Sequence, residues 1–126
     1  MIGYVTMGTN DLARAVAFYD ALFAELGAER FMEEETFVAW AVSPDKPAFS
    51  VTHPFDGNAA TVGNGTMVAL AVDSAAKVDA MHAKAMQLGG MDEGAPGQRM
   101  EGFYAGYFRD LDGNKLNVFF ASHGAD

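Results

Sequence analysis

Arg109-Asp110-Leu111-Asp112-Gly113-Asn114-Lys115-Leu116-Asn117-Val118-Phe119-Phe120 is the most informative stretch of this 126-residue chain. Its first half reads as a tight turn. Gly113 takes positive φ at little cost, and the Asp and Asn side chains satisfy turn amides locally. Its second half reads as a strand, with Leu116, Val118, Phe119 and Phe120 supplying β-prone bulk. Asn117 is then one polar residue projecting from one face of that strand.

Upstream of this turn, strands are expected at about 91–95 and 102–109, and the strand after it at about 115–121. They follow a helix whose stripe is Val78, Met81, His82, Ala85 and Leu88, capped by Asp73 or Ser74 and stopped at Gly89-Gly90. Met67 to Val72 reads as the strand that leads into it. The same order stands earlier in the chain. Residues 2–8 read as a strand, and Thr9, Asn10 and Asp11 offer an N-cap. Leu12, Ala15, Val16, Tyr19, Leu22, Phe23 and Leu26 recur at helical spacing up to the stop at Gly27. Strands at about 28–34, 36–42 and 47–53 follow, the last two joined by Ser43-Pro44-Asp45-Lys46-Pro47.

Laid over each other, the halves match Val16 to Val78 and Gly27 to Gly89. Further on they match Asp45 to Asp112, Ser50 to Asn117 and Trp40 to Tyr107. A βαβββ unit repeated twice is the economical reading. It predicts an α+β single domain over 1–126, with repeat one at about 1–53, a Gly/Asn/Pro-rich linker at 54–65 and repeat two at about 66–121. Each small sheet needs a neighbour, so one curved, cup-shaped mixed sheet with both helices outside is expected.

Seventeen acidic against eight basic residues give a formal charge of −9. That disfavours nucleic acid and anionic membrane surfaces, both of which are bound by neutralising phosphates with Lys and Arg. A neutral or cationic small ligand suits the overall field better. With no cysteine there is neither a disulfide framework nor a thiolate ligand or nucleophile. Apolar runs such as Phe37 to Val42 are far too short to span a bilayer. The opening residues lack the basic and apolar regions of a signal peptide, so a cytoplasmic location is expected.

Asp11-Leu12-Ala13-Arg14-Ala15 followed by Phe18-Tyr19 resembles the first-helix signature of the vicinal oxygen chelate superfamily. This group holds glyoxalases, bleomycin-resistance proteins, fosfomycin-resistance enzymes and extradiol dioxygenases. Arg109 to Asn114 resembles its final turn, with Leu111 where the family often has Pro. Pro54-Phe55-Asp56-Gly57 and Gly63-Asn64-Gly65-Thr66-Met67-Val68-Ala69 are similar to the linker of a small bacterial glyoxalase-like branch. The likeness spans essentially the whole chain. It implies the cupped βαβββ fold, and in metal-using members it implies ligands from the first and last strand of each half. Those positions here hold Tyr4 and Met67 on the first strands, and Ser50 and Asn117 on the last.

Such a metal acts as a Lewis acid and wants carboxylate oxygen or imidazole nitrogen. A phenol keeps its proton to a pKa of about 10, Ser and Asn oxygens are weak neutral donors, and thioether sulfur prefers soft ions. The four residues make no site for Ni, Zn, Fe or Mn, so neither a metal nor another cofactor is expected.

Among other residues, His53 follows the strand that carries Ser50 and Thr52, and reads as a base at the pocket lip or as a plain surface residue. His82 falls on the second helix's stripe and reads as packing, and His123 sits in a polar tail. Asp110-x-Asp112-x-Asn114 imitates the start of a calcium loop, but Lys115 replaces the required Gly and no Glu closes the loop. Gly63-x-Gly65 lacks the Lys and Ser/Thr of a P-loop, and no Ser lies in a nucleophile elbow.

By alternation Trp40 shares a face with Val38, and Tyr107 shares one with Phe103 and Ala105. Under the resemblance these faces line the cup with Tyr4 and Met67, although Phe103 reads equally well as core. Arg99 reads either as a loop charge or as a partner for an anionic group on a ligand. Walls of Trp, Tyr, Phe and Met with a few polar tips suit an aromatic or amphiphilic ligand. The expected function is metal-independent binding of a small aromatic or cationic molecule, as in bleomycin-resistance proteins. A glyoxalase-like lyase or isomerase is one alternative, and an accessory interaction domain without ligand is another. Relatives usually dimerise, so the resemblance implies a homodimer.

Overall fold

The structure, a computed structural model, describes residues 1–122, so His123 lies outside the described residues. Its elements are β1 (Tyr4–Gly8), α1 (Leu12–Ala24), β2 (Glu29–Glu34), β3 (Phe37–Ala41) and β4 (Ala48–Thr52), then β5 (Val68–Ala71), α2 (Ala75–Gln87), β6 (Met91–Met100), β7 (Phe103–Arg109) and β8 (Lys115–Ala121). This is the βαβββ order twice over, an α+β fold. The eight strands pair as two four-stranded mixed sheets, β1-β4-β3-β2 and β5-β8-β7-β6. In each, the first strand runs parallel to the last and the remaining pairs are antiparallel. The chain divides into two compact units, Met1–Val62 and the part from Gly63 onward. Among the described residues no helix is long and apolar enough to cross a membrane.

Local chemistry fixes the helix ends. Of the three candidates before α1, Asp11 is the cap: its side chain accepts from the Arg14 amide. Thr9 Oγ in turn accepts from the Asp11 amide at 3.0 Å. Before α2 the cap is Ser74, which accepts from the Lys77 amide, and not Asp73. Each cap satisfies one of the orphan amides of a first turn.

In the first unit, α1 buries Ala15, Phe18, Tyr19, Leu22 and Phe23 against one face of its sheet. The Tyr19 ring lies 4.7 Å from that of Phe49 and 5.8 Å from that of Trp40, and Phe23 touches both. In the second unit, α2 buries Val78, Met81, His82 and Ala85, while Phe108, Leu116 and Val118 are fully buried in the same unit. Burying each Val, Leu, Phe or Met side chain among them contributes about 1.5–3 kcal/mol, so these helix–sheet layers hold each unit together.

Two correspondences between the repeats shift by one residue. With Leu12–Ala24 laid over Ala75–Gln87, the buried Ala15, Phe18, Tyr19 and Leu22 fall on Val78, Met81, His82 and Ala85. Val78 is therefore the counterpart of Ala15, and not of the half-buried Val16. In the sheets, Ser50 pairs with Ala39 and Asn117 with Tyr107, so Ala39 and not Trp40 is the counterpart of Tyr107. The reason is turn length. Residues 42–47 join β3 to β4, whereas 110–114 join β7 to β8, one residue fewer. A slip of one residue sends a strand's side chains to the opposite face.

Strand β6 runs to Met100, beyond the expected end near residue 95. β6 is an edge strand and carries Gly94, Pro96 and Gly97 with register shifts at Asp92/Gly94, Gly94/Gly97 and Gln98/Met100. Edge strands with bulges tolerate Pro and Gly.

Candidate ligand-binding face of the second unit

The turn after β7 is built by Asp110. Its Oδ1 accepts from the amides of Asp112 and Asn114, both at 2.9 Å, and its Oδ2 accepts from Asn114 Nδ2 at 3.0 Å. Gly113 sits at φ +90°, a conformation open to glycine, and Arg109 Nη1 donates to its carbonyl. This closed turn sets the ladder that follows: Arg109 opposite Lys115, Tyr107 opposite Asn117, Ala105 opposite Phe119 and Phe103 opposite Ala121. Alternation then gives the sheet two chemically different faces. Phe108, Leu116 and Val118 belong to the α2 side, where the Phe108 ring meets His82.

The other face carries Phe103, Ala105 and Tyr107 from β7, with Lys115, Asn117 and Phe119 from β8. Phe103 and Phe119 stack with ring centres 5.4 Å apart. The Arg99 guanidinium lies 5.4 Å and the Lys115 ammonium 5.6 Å from the centre of the Tyr107 ring. Arg99 reaches the ring because β6 offers no side chain beneath it. A Cβ on Gly94 would stand 3.2 Å from Tyr107 Cδ1 and 3.3 Å from Arg99 Nη2, and one on Gly97 would stand 3.0 Å from Arg99 Nη1. Arg99 Nη2 also donates to the Ala95 carbonyl, which holds the side chain over the strand. The expected reading of Phe103 and Tyr107 as residues of one face thus matches the ladder.

Asn117 is 2% exposed, and among the described residues its Oδ1 is a buried side-chain oxygen with no hydrogen-bond partner. Buried polar atoms are nearly always satisfied, and leaving one unmade costs about 1–3 kcal/mol. Its neighbours across the ladders are Ala69 on β5 and Tyr107 on β7, and neither side supplies the missing donor. Met67, 40% exposed, precedes Ala69 by one strand alternation.

The first unit's candidates stand differently. Tyr4 opens β1 and is 67% exposed. Ser50 is fully buried, and its hydroxyl donates to the Val5 carbonyl at 2.8 Å. Its oxygen lies 2.9 Å from Thr6 Oγ, which is left as the donor of that pair. Ser50 is therefore a satisfied link between β1 and β4.

Trp40 does not line an open face. It is 1% exposed, packs on Tyr19 and Phe23 of α1, and donates from Nε1 to Asp20 Oδ1 at 2.8 Å. The cause is the one-residue slip described above. Asp20 also accepts from the Arg30 guanidinium, whose hydrogen bonds, more than its charge, hold the carboxyl below the usual range. A hollow of about 520 Å³ in this unit is bordered by Arg30, Phe31, Val42 and Lys46, and none of Tyr4, Trp40 and Ser50 lines it.

His53 is exposed, and its backbone amide donates to the Thr36 carbonyl. His82, 7% exposed on α2, places Nε2 at 3.0 Å from Asp92 Oδ1 and 3.2 Å from the Tyr107 carbonyl. Both partners accept only, so Nε2 carries the hydrogen. The Gly94 amide, more than His82, holds the Asp92 carboxyl below its ordinary pKa.

The donors at the metal positions of the resemblance are thus a phenol, a committed hydroxyl, a thioether and an amide. Among the described residues no three His, Cys, Asp or Glu gather where they would hold a metal ion. This donor set does not fit a divalent Lewis acid. Two residues of the second unit's face, Lys115 and Phe119, escape the sequence reading. Their signal is simple alternation from Asn117 along one strand.

Comparison with known proteins agrees with this fold. A glyoxalase/bleomycin resistance protein from Albidiferax ferrireducens T118 is 36% identical, with a TM-score of 0.88 over 95% of this chain and 98% of that one. A lactoylglutathione lyase from Agrobacterium tumefaciens is 21% identical, with a TM-score of 0.74 over 98% of this chain and 95% of that one. A putative glyoxalase from Bacillus halodurans is 20% identical, with a TM-score of 0.74 over 95% of each chain. No curated protein matches the sequence significantly. The family model described as Glyoxalase/Bleomycin resistance protein/Dioxygenase superfamily matches residues 1–118, and the chain belongs to that superfamily.

Proposed function

We propose that this protein binds a small aromatic molecule, without a metal ion, on the face of the second sheet that carries Asn117. The observation that supports this reading is the buried, partnerless Asn117 Oδ1. A ligand N–H or O–H delivered there satisfies an oxygen that otherwise weakens the fold. The stacked Phe103 and Phe119 rings and the Tyr107 ring supply flat apolar surface beside it. Such a mixture of aromatic wall and one oriented polar atom is what small-molecule sites use for affinity and orientation.

The test is a thermal-shift screen of aromatic ligands on the intact protein and on Asn117→Leu. Leucine keeps the volume and removes the acceptor. The expected result is at least one ligand that raises the melting temperature of the parent protein and not that of the variant. A panel that stabilises neither protein, or both equally, refutes the reading.

A further inference from the structure

We infer that the ligand of this face is a small organic anion that also carries a hydroxyl or N–H donor. The inference rests on the binding face proposed above and assigns its charge. The whole chain is acidic, which favours a cationic ligand, but charge recognition is decided locally. On this face the local charge is positive.

Arg99 and Lys115 both lie over the ring of Tyr107, at 5.4 and 5.6 Å. Tyr107 is in turn the residue directly opposite Asn117 in the ladder. Two side chains so placed have Cβ atoms about 4.5–5.5 Å apart. Cations and acceptor are therefore grouped around one cross-strand pair. A nearby third cation, Arg109, is already matched by Glu93 Oε1 at 3.4 Å and by the Gly113 carbonyl. Arg99 and Lys115 have no such match: among the described residues neither makes an ion pair with a carboxylate.

The backbone makes room for this arrangement. Gly94 and Gly97 leave β6 bare where the guanidinium crosses, and a Cβ at either would press on it. A guanidinium beside an aromatic ring keeps N–H groups free of the ring, and a carboxylate or phosphonate accepts such groups in pairs. The Lys115 ammonium adds a second positive charge beside the same ring. The neutral donor of the ligand then falls to Asn117 Oδ1, which accepts and cannot itself hold an anion.

The experiment is a backbone-amide NMR titration of the full chain with three molecules of one skeleton: mandelate, mandelamide and 2-amino-1-phenylethanol. All carry a phenyl ring and a hydroxyl, and they differ in charge. Mandelate is expected to shift the Tyr107 and Asn117 signals at millimolar concentration, with about tenfold preference over the other two. In the double variant Arg99→Gln/Lys115→Gln the preference is expected to vanish while the spectrum of the folded chain persists. Equal binding of the three, preference for the ammonium compound, survival of the preference in the double variant, or no response to mandelate each overturns the inference. Equal binding that Asn117→Leu abolishes would remove the charge assignment and leave the binding face standing.

Discussion

Tyr107 and Asn117 face each other across the β7–β8 ladder, a ring near two cations opposite a buried amide oxygen that no described residue satisfies. The pairing is dictated by the Asp110 turn, so the two groups are held at fixed spacing by backbone hydrogen bonds. Such a juxtaposition is costly for the fold taken alone. Its consequences can be measured without knowing the ligand.

Asn117→Leu is expected to leave stability unchanged or to raise it by about 1 kcal/mol, because an apolar group of similar volume replaces an unsatisfied one. Asn117→Ala is expected to lower stability by about 1–2 kcal/mol, since it removes buried atoms and leaves a void. Urea titration of both variants separates the two effects. Clear destabilisation by leucine would mean that the amide is already satisfied.

Ser50, the counterpart of Asn117 in the first repeat, predicts the opposite behaviour. Its hydroxyl is bonded to the Val5 carbonyl and to Thr6. Ser50→Val removes a satisfied group and leaves that carbonyl short of a donor, so it is expected to cost about 1–3 kcal/mol. The same urea titration checks it, and a neutral result would break the contrast between the repeats.

Trp40 is the chain's one tryptophan and packs on α1. Its emission is therefore expected to follow unfolding of the first unit and to stay constant when a ligand binds the face that carries Asn117. Trp40→Phe is expected to cost about 1 kcal/mol through the lost hydrogen bond to Asp20 and to leave ligand affinity unchanged. Fluorescence titration beside calorimetry decides it. Quenching that saturates with ligand would place Trp40 at the site after all.

The repeat, its element order and the turn at Asp110 were legible because they depend on local signals: glycine stops, capping side chains and alternation. The candidate face was legible only in part. Tyr107, Phe103 and Asn117 follow from alternation on two neighbouring strands. Trp40 was misplaced because a turn one residue longer reverses the face, and turn length shows only when both hairpins are paired. Lys115 was placed at the start of the last strand but was not weighed for the face it shares with Asn117, two residues on. Arg99 stayed ambiguous because its place depends on the bulges of β6, whose continuation past residue 95, through Gly97-Gln98-Arg99, read as loop. That Asn117 lacks a donor was beyond any reading of sequence, since its partners come from other strands.

Acid stability offers a further measurement. The carboxyl of Asp20 is held below the ordinary carboxylate range, first by its hydrogen bonds to Arg30, with Trp40 and the Arg30 charge acting in the same direction. A carboxylate with a lowered folded-state pKa contributes stability above the unfolded-state pKa, and loses it as pH falls through the folded-state value. The parent protein is therefore expected to lose part of its stability as pH drops below about 4, where the unfolded chain takes up the proton first. Asp20→Asn cannot titrate and keeps an acceptor for Trp40, so it is expected to be less stable than the parent at neutral pH and to close that gap in acid. Arg30 and Asp20 are both more than a third exposed, which keeps the difference small and salt-sensitive. Urea midpoints of both proteins across the acid range check the sign. A gap that stays constant from neutral pH into acid would show that the Asp20 charge adds nothing to the folded state.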